Sequence, residues 1–139
     1  MSDRKENTSY AYFRIVEFDC SVEDITKRVG IEPTGSYSQG EKLHPKQAPR
    51  KYSACHLKSK SSSTADIETH ILELLEQVKG KEYILKTLAE EFGLQLTCVG
   101  HFLESNPGLS LSEEIISRVA ECGASMDFDF YHYWADASA

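Results

Sequence analysis

The chain has 139 residues, 40% hydrophobic and 27% charged, a length that suits one domain and a composition that excludes a disordered chain. Its formal charge of −7 argues against a general nucleic-acid binder, which needs positive surface to displace counterions. No apolar run approaches the roughly 20 residues of a membrane-crossing helix, and Met1 to Asn7 hold no apolar segment of the signal-peptide kind.

Residues 1–9 are polar and read as a flexible N-terminus, ahead of a single domain over 10–134 and a flexible end at 135–139. From Tyr10 the aromatic and β-branched run Tyr-Ala-Tyr-Phe-Arg-Ile-Val-Glu-Phe predicts a strand. Ala11, Phe13 and Ile15 fall on one face of it, and Tyr10, Tyr12, Arg14 and Val16 on the other. Ser21 reads as the cap of a short helix carrying Val22, Ile25 and Val29, with Gly30 as its stop. Residues 31–50 are broken by Pro33, Gly35, Gly40, Pro45 and Pro49, and concentrate Lys42, His44, Lys46 and Arg50 just before Lys51. A weaker strand follows from Tyr52 to Lys58, then a serine-rich turn with Ser63 and Thr64 as candidate caps.

Ile67, Ile71, Leu74, Leu75 and Val78 recur at helical spacing, predicting a helix over 65–79. A second helix over 81–92 carries Tyr83, Ile84, Leu88 and Phe92. Leu94 to Leu103 reads as a strand with Leu94, Leu96, Cys98 and Phe102 on its apolar face, and Asn106-Pro107-Gly108 as a turn. Ser110 with Glu113 matches a capping box for a helix over 111–122, bearing Leu111, Ile115, Ile116 and Val119. In the last strand Met126, Phe128, Phe130, His132 and Trp134 alternate with Asp127, Asp129, Tyr131 and Tyr133. The expected core is Ile67, Ile71, Leu74, Leu75, Leu88, Leu96, Ile115, Ile116 and Val119.

Cys20, Cys55, Cys98 and Cys122 are widely spaced, with no Cys-x-x-Cys pair. Without a signal peptide the expected setting is reducing and cytoplasmic, and the cysteines read as partly buried free thiols rather than disulfides or zinc ligands. The five histidines show no His-x-x-x-His or His-Glu-x-x-His spacing. No metal and no cofactor is expected, and neither a phosphate-binding glycine loop nor a catalytic triad can be nominated.

Three stretches together resemble a known family: Gly30-Ile-Glu-Pro-Thr-Gly-Ser-Tyr-Ser-Gln-Gly40, Tyr52 to Ser59, and Gly123-Ala-Ser-Met-Asp-Phe-Asp-Phe-Tyr131. The pattern is similar to the bacterial family catalogued as domain of unknown function 4279. That pattern has a helix ending in Gly-x-x-Pro-Thr, a later Gly-Asp or Gly-Glu, a Trp-x-(aliphatic)-x-Ser strand and a closing Asp-x-Asp-x-Tyr strand. The chain departs from it near Tyr52 to Cys55, where a Trp is usual. The resemblance covers most of the chain from Tyr10 and implies a bacterial, cytosolic α+β domain. It brings no catalytic residues.

Asp127 and Asp129 share one strand face about 7 Å apart. Such a pair could do acid–base work, bind a divalent cation or meet a basic partner, but two carboxylates lack the further oxygens a metal wants. The plainer reading is a solvated or salt-bridged face, with Arg14 a candidate partner. The basic loop could receive an anionic ligand or an acidic segment, or simply be solvated. Tyr10, Tyr12, Tyr131 and Tyr133 sit with Arg14 on the less apolar strand faces, and Tyr and Arg are enriched where proteins bind one another.

These readings converge on an α+β domain with one mixed or mostly antiparallel sheet and helices packed mainly on one face. The expected function is a non-enzymatic protein-binding module, a regulator or immunity-type protein acting on a protein partner or as a homodimer, with neither nucleic acid nor membrane. Its candidate contact residues are Tyr12, Arg14, Asp129 and Tyr131, with Asp127. The rival is a small anionic-ligand-binding protein or enzyme whose site lies between the loop 42–51 (Lys42, His44, Lys46, Arg50) and the C-terminal strand.

Overall fold

The computed structural model describes residues 6–42, 44–103 and 108–133. Strand β1 (Thr8–Phe18) is followed by α1 (Val22–Val29), β2 (Gly35–Tyr37), β3 (Ser53–Lys58), α2 (Ile67–Gln77), α3 (Glu82–Glu91), β4 (Leu94–Phe102), α4 (Glu113–Glu121) and β5 (Ser125–His132). The sheet has five strands in the order β2-β3-β1-β4-β5. Neighbours are antiparallel except β4 and β5, which run parallel with α4 as their crossover. The expected α+β class with one mixed sheet is therefore the fold. The expected turn at 106–108 falls largely on undescribed residues, as do Trp134 and the expected flexible end.

Strand alternation sorts the two faces. Ala11, Phe13 and Ile15 lie opposite Cys98, Leu96 and Leu94, and all six are buried with the apolar faces of the helices. Strand β1 starts at Thr8 rather than Tyr10, because Ser9 is drawn in: its N–H reaches the Ser63 carbonyl at 2.8 Å and its hydroxyl the Ala65 carbonyl at 2.7 Å. At the other end a bulge corrects the alternation. Glu17 takes φ 62° and stays exposed, which turns Phe18 into the core against Phe92.

The helix ends follow local hydrogen bonding. Ser21 accepts from the Asp24 N–H and Gly30 closes α1 at φ 79°, both as expected. For α2 the cap is Asp66, which accepts from the Thr69 N–H at 2.8 Å, not Ser63 or Thr64. For α4 it is Ser112, not Ser110, since the Ile115 N–H it satisfies lies three residues on. Ile116 is corrected too. It is 54% exposed, because Ile115, Val119 and Cys122 form the buried stripe and the next residue lies about 100° round the helix.

The cysteines are free, and all but the half-buried Cys20 are buried. Burial pushes the Cys98 thiol up to about 12 and those of Cys55 and Cys122 up to about 11, so the three are inert as nucleophiles.

His70, 1% exposed on α2, bonds through Nδ1 to the Ser59 hydroxyl at 2.7 Å. Burial holds its pKa below the ordinary 6.5. The unfolded chain therefore takes up this proton more readily than the fold does. The resulting stability is fully present above pH 6.5 and is lost as pH falls through the lowered folded value. His56, also lowered by burial, acts in the same sense. Urea midpoints are expected to drop between about pH 7 and 5, and His70→Gln should make that slope shallower. An equal slope in the variant would remove His70 from the account.

Candidate functional site

With all helices on one side, the other sheet face carries its own layer of side chains. In register across the strands run Gly35, His56, Arg14, Gln95 and Ser125; then Lys58, Tyr12, Thr97 and Asp127; then Tyr10, Val99 and Asp129; then Thr8, His101 and Tyr131. The fold thus gathers the expected contact residues Tyr12, Arg14, Asp127, Asp129 and Tyr131 on one face. The rings order one another. Tyr10 stacks on Tyr12 with centroids 6.1 Å apart, Tyr12 meets His56 edge-on at 5.9 Å, and His101 stacks between Tyr131 and Tyr133 at 5.0 and 5.6 Å. Lys58 Nζ sits 4.3 Å over the Tyr10 ring. The Tyr131 hydroxyl donates to Asp129 at 2.9 Å, which holds that phenol's pKa above its ordinary value.

Arg14 does not pair with either aspartate. Its neighbours are β3 and β4, whereas Asp127 and Asp129 lie two strands away on β5, about 10 Å across the sheet. Its Nη2 donates instead to the Tyr37 hydroxyl at 3.0 Å.

The basic loop hangs from the opposite edge. Paired backbone bonds between Gly40, Glu41 and Arg50 close it, and Gln39 N–H donates to the Ser53 hydroxyl. Strand order puts this loop beside β2 and β3, some four strand spacings (about 19 Å) from β5. A site between the loop 42–51 and the C-terminal strand is therefore not formed. Lys42, His44 and Lys46 lie exposed, with His44 Nδ1 accepting from the Lys46 N–H in a local turn. Arg50 alone of the four folds back, its guanidinium carbon 4.3 Å over the Tyr37 ring. Beneath it a hollow of about 340 Å³ is lined by Arg14, Val16, Glu17, Tyr37, Arg50, Lys51, Tyr52 and Gln95.

A larger cleft of about 520 Å³ lies where the starts of β1 and α2 meet Phe102. Two of its polar groups serve the fold, since Asp66 caps α2 and Ser9 bonds Ala65, and its charged lining is the carboxylates of Asp66 and Glu68, with no basic side chain beside them. Among the described residues no group of three or more His, Cys, Asp or Glu side chains is placed to hold a metal ion.

A family model described as Domain of unknown function (DUF4279) matches residues 7–133. The chain belongs to that family. The matched span runs from just before β1 to just past β5, so the sheet, all four helices and the open face are parts of the family domain. No curated protein and no solved structure matches the chain. No helix of the described residues is long and apolar enough to cross a membrane.

Within the family domain, sequence reasoning missed Tyr37, His56, Lys58, Gln95 and His101 as parts of the open face. A signal existed for the last two: Gln95, Thr97, Val99 and His101 alternate with the apolar Leu94, Leu96 and Cys98. For Tyr37 there was little, because β2 is three residues long and sits in a loop-like stretch. Phe128 and Phe130 alternate toward the helix side as expected, but are 44% and 38% exposed, since β5 is an edge strand beyond the helical layer.

Proposed function

We propose that this domain is a non-enzymatic protein-binding module, a regulator or immunity-type protein, that receives its partner or a second copy on the helix-free face of the sheet. The observation that carries the reading is the ring-and-charge layer of that face: Tyr10, Tyr12, Tyr131 and Tyr133 interleaved with Lys58 and Asp129. Tyr131 and Tyr133 are exposed and Tyr10 and Tyr12 half-buried, so apolar ring area is left in water that docking would cover. Stacking and hydrogen bonds already fix their rotamers, so little side-chain entropy remains to be lost on binding. Tyr and Arg are also the side chains that most often anchor protein interfaces.

Amine cross-linking of untagged protein purified natively from its source tests this. Lys58 lies on the open face; Lys86 lies on α3 and Lys79 in the turn between α2 and α3. Intermolecular cross-links should form at Lys58, to a second copy or to a retained partner. Cross-links confined to Lys79 and Lys86 would overturn the choice of face.

A further inference from the structure

We propose that the hollow bounded by Arg14, Tyr37, Arg50 and Lys51 binds a dianionic oxyanion group, a phosphate monoester or a dicarboxylate. Tyr37 organises both arginines. Its hydroxyl accepts from Arg14 Nη2 at 3.0 Å, and its ring supports the Arg50 guanidinium at 4.3 Å. One tyrosine thereby sets guanidinium groups from two distant parts of the chain, β1 and the returning loop, around the same space. A guanidinium held by its edge or its face keeps other N–H groups for a bidentate contact.

The positive charges of the hollow are only partly compensated. The ion pairs among the described residues use Arg28 and Arg118, and neither Arg14, Arg50 nor Lys51 enters one. Three cationic side chains line the space against the single carboxylate of Glu17, leaving two positive charges in a chain of net −7. A dianion balances that excess; a monoanion leaves half of it. His56, opposite Arg14 on β3, is held below its ordinary pKa first by burial and then by Arg14 and Lys58.

The bulge that turns Phe18 into the core also sets Glu17 on the rim of the hollow, where it supplies the one carboxylate of the lining. The volume of about 340 Å³ falls within the roughly 300–1,000 Å³ usual for small-molecule sites. Val16 and Tyr52 supply apolar wall for the body of a ligand, and the Gln95 amide can both donate and accept. The hollow sits toward the β2 end of the open face, with Tyr10 and Tyr12 on the central strand and Tyr131 and Tyr133 at the β5 end; Arg14 is common to both readings, and Arg50 and Tyr37 belong to this site alone.

The test is titration of the whole chain, at neutral pH and low salt, with inorganic phosphate, phenyl phosphate and succinate, followed by amide chemical shifts. Saturable shifts are expected around Arg14, Tyr37, Arg50 and Gln95. Arg50→Gln, on the loop and remote from the core, should weaken binding at least about tenfold. Tyr37→Phe keeps the ring under Arg50 but releases Arg14, and should weaken it less. Lys79→Gln, on the far side, should change nothing. Preference for phenyl phosphate over succinate assigns a phosphate monoester, and the reverse a dicarboxylate. Absence of saturation below roughly 10 mM for every probe, or equal binding by Arg50→Gln with an unchanged melting curve, would overturn the proposal.

Discussion

Ile115→Ala is expected to destabilise the fold by about 2–5 kcal/mol, while Ile116→Ala costs under about 0.5 kcal/mol. The two residues are chemically identical and adjacent, so the difference isolates burial. Ile115 is 0% exposed and packs beneath α4 with Val119 and Cys122, where truncation removes apolar contact and leaves a cavity that close packing cannot fully collapse. Ile116 is 54% exposed, and its loss gives up little more than surface. Chemical denaturation of both variants decides it: similar losses would mean that α4 is rotated so that Ile116 also faces the core.

That pair also marks where sequence reading stops. Ile115, Ile116 and Val119 all lie within a helical apolar arc, and periodicity alone admits an arc wide enough to hold all three. Which edge of the arc reaches solvent depends on where α2 and α3 stand, and that is tertiary information. Strand faces were legible for a different reason: the period of two leaves no intermediate position, so Tyr12 and Arg14 had to part from Phe13 and Ile15. Strand order was not legible. Arg14 and Asp129 were rightly placed on one face, yet their pairing failed because β4 lies between their strands. The hollow was half visible, in Arg14 and Arg50. Its organiser Tyr37 lies in a three-residue strand too short to announce itself by pattern.

Ser59→Ala should cost about 1–3 kcal/mol for each of two buried groups it orphans, a large loss for one hydroxyl. Ser59 directly follows β3 at a crowded junction. Its backbone N–H reaches the Ala11 carbonyl at 2.8 Å, its side chain accepts from the Ala11 N–H at 3.1 Å, and the same oxygen meets His70 Nδ1 at 2.7 Å. Ala11 is 0% exposed and His70 1%, so water does not replace the missing oxygen without local opening. Ser59→Ala combined with His70→Leu should cost less than the sum of the two single changes, because the second removes the group the first leaves unpaired. Additive losses in the double-mutant cycle would show that the hydroxyl and the imidazole act independently.

The central claim is that the helix-free face of the sheet is a protein contact surface, and sedimentation velocity at micromolar concentration tests it most directly. Untagged protein purified natively is compared with Tyr131→Ala and Arg14→Glu, each checked by its melting curve. Tyr131 is 44% exposed and reaches no helix, so its truncation should leave the core intact. The account predicts that the wild type sediments as a complex, with a second copy or a retained partner, and that both variants sediment as folded monomers. A wild type that sediments as a bare monomer, indistinguishable from both variants, would contradict it.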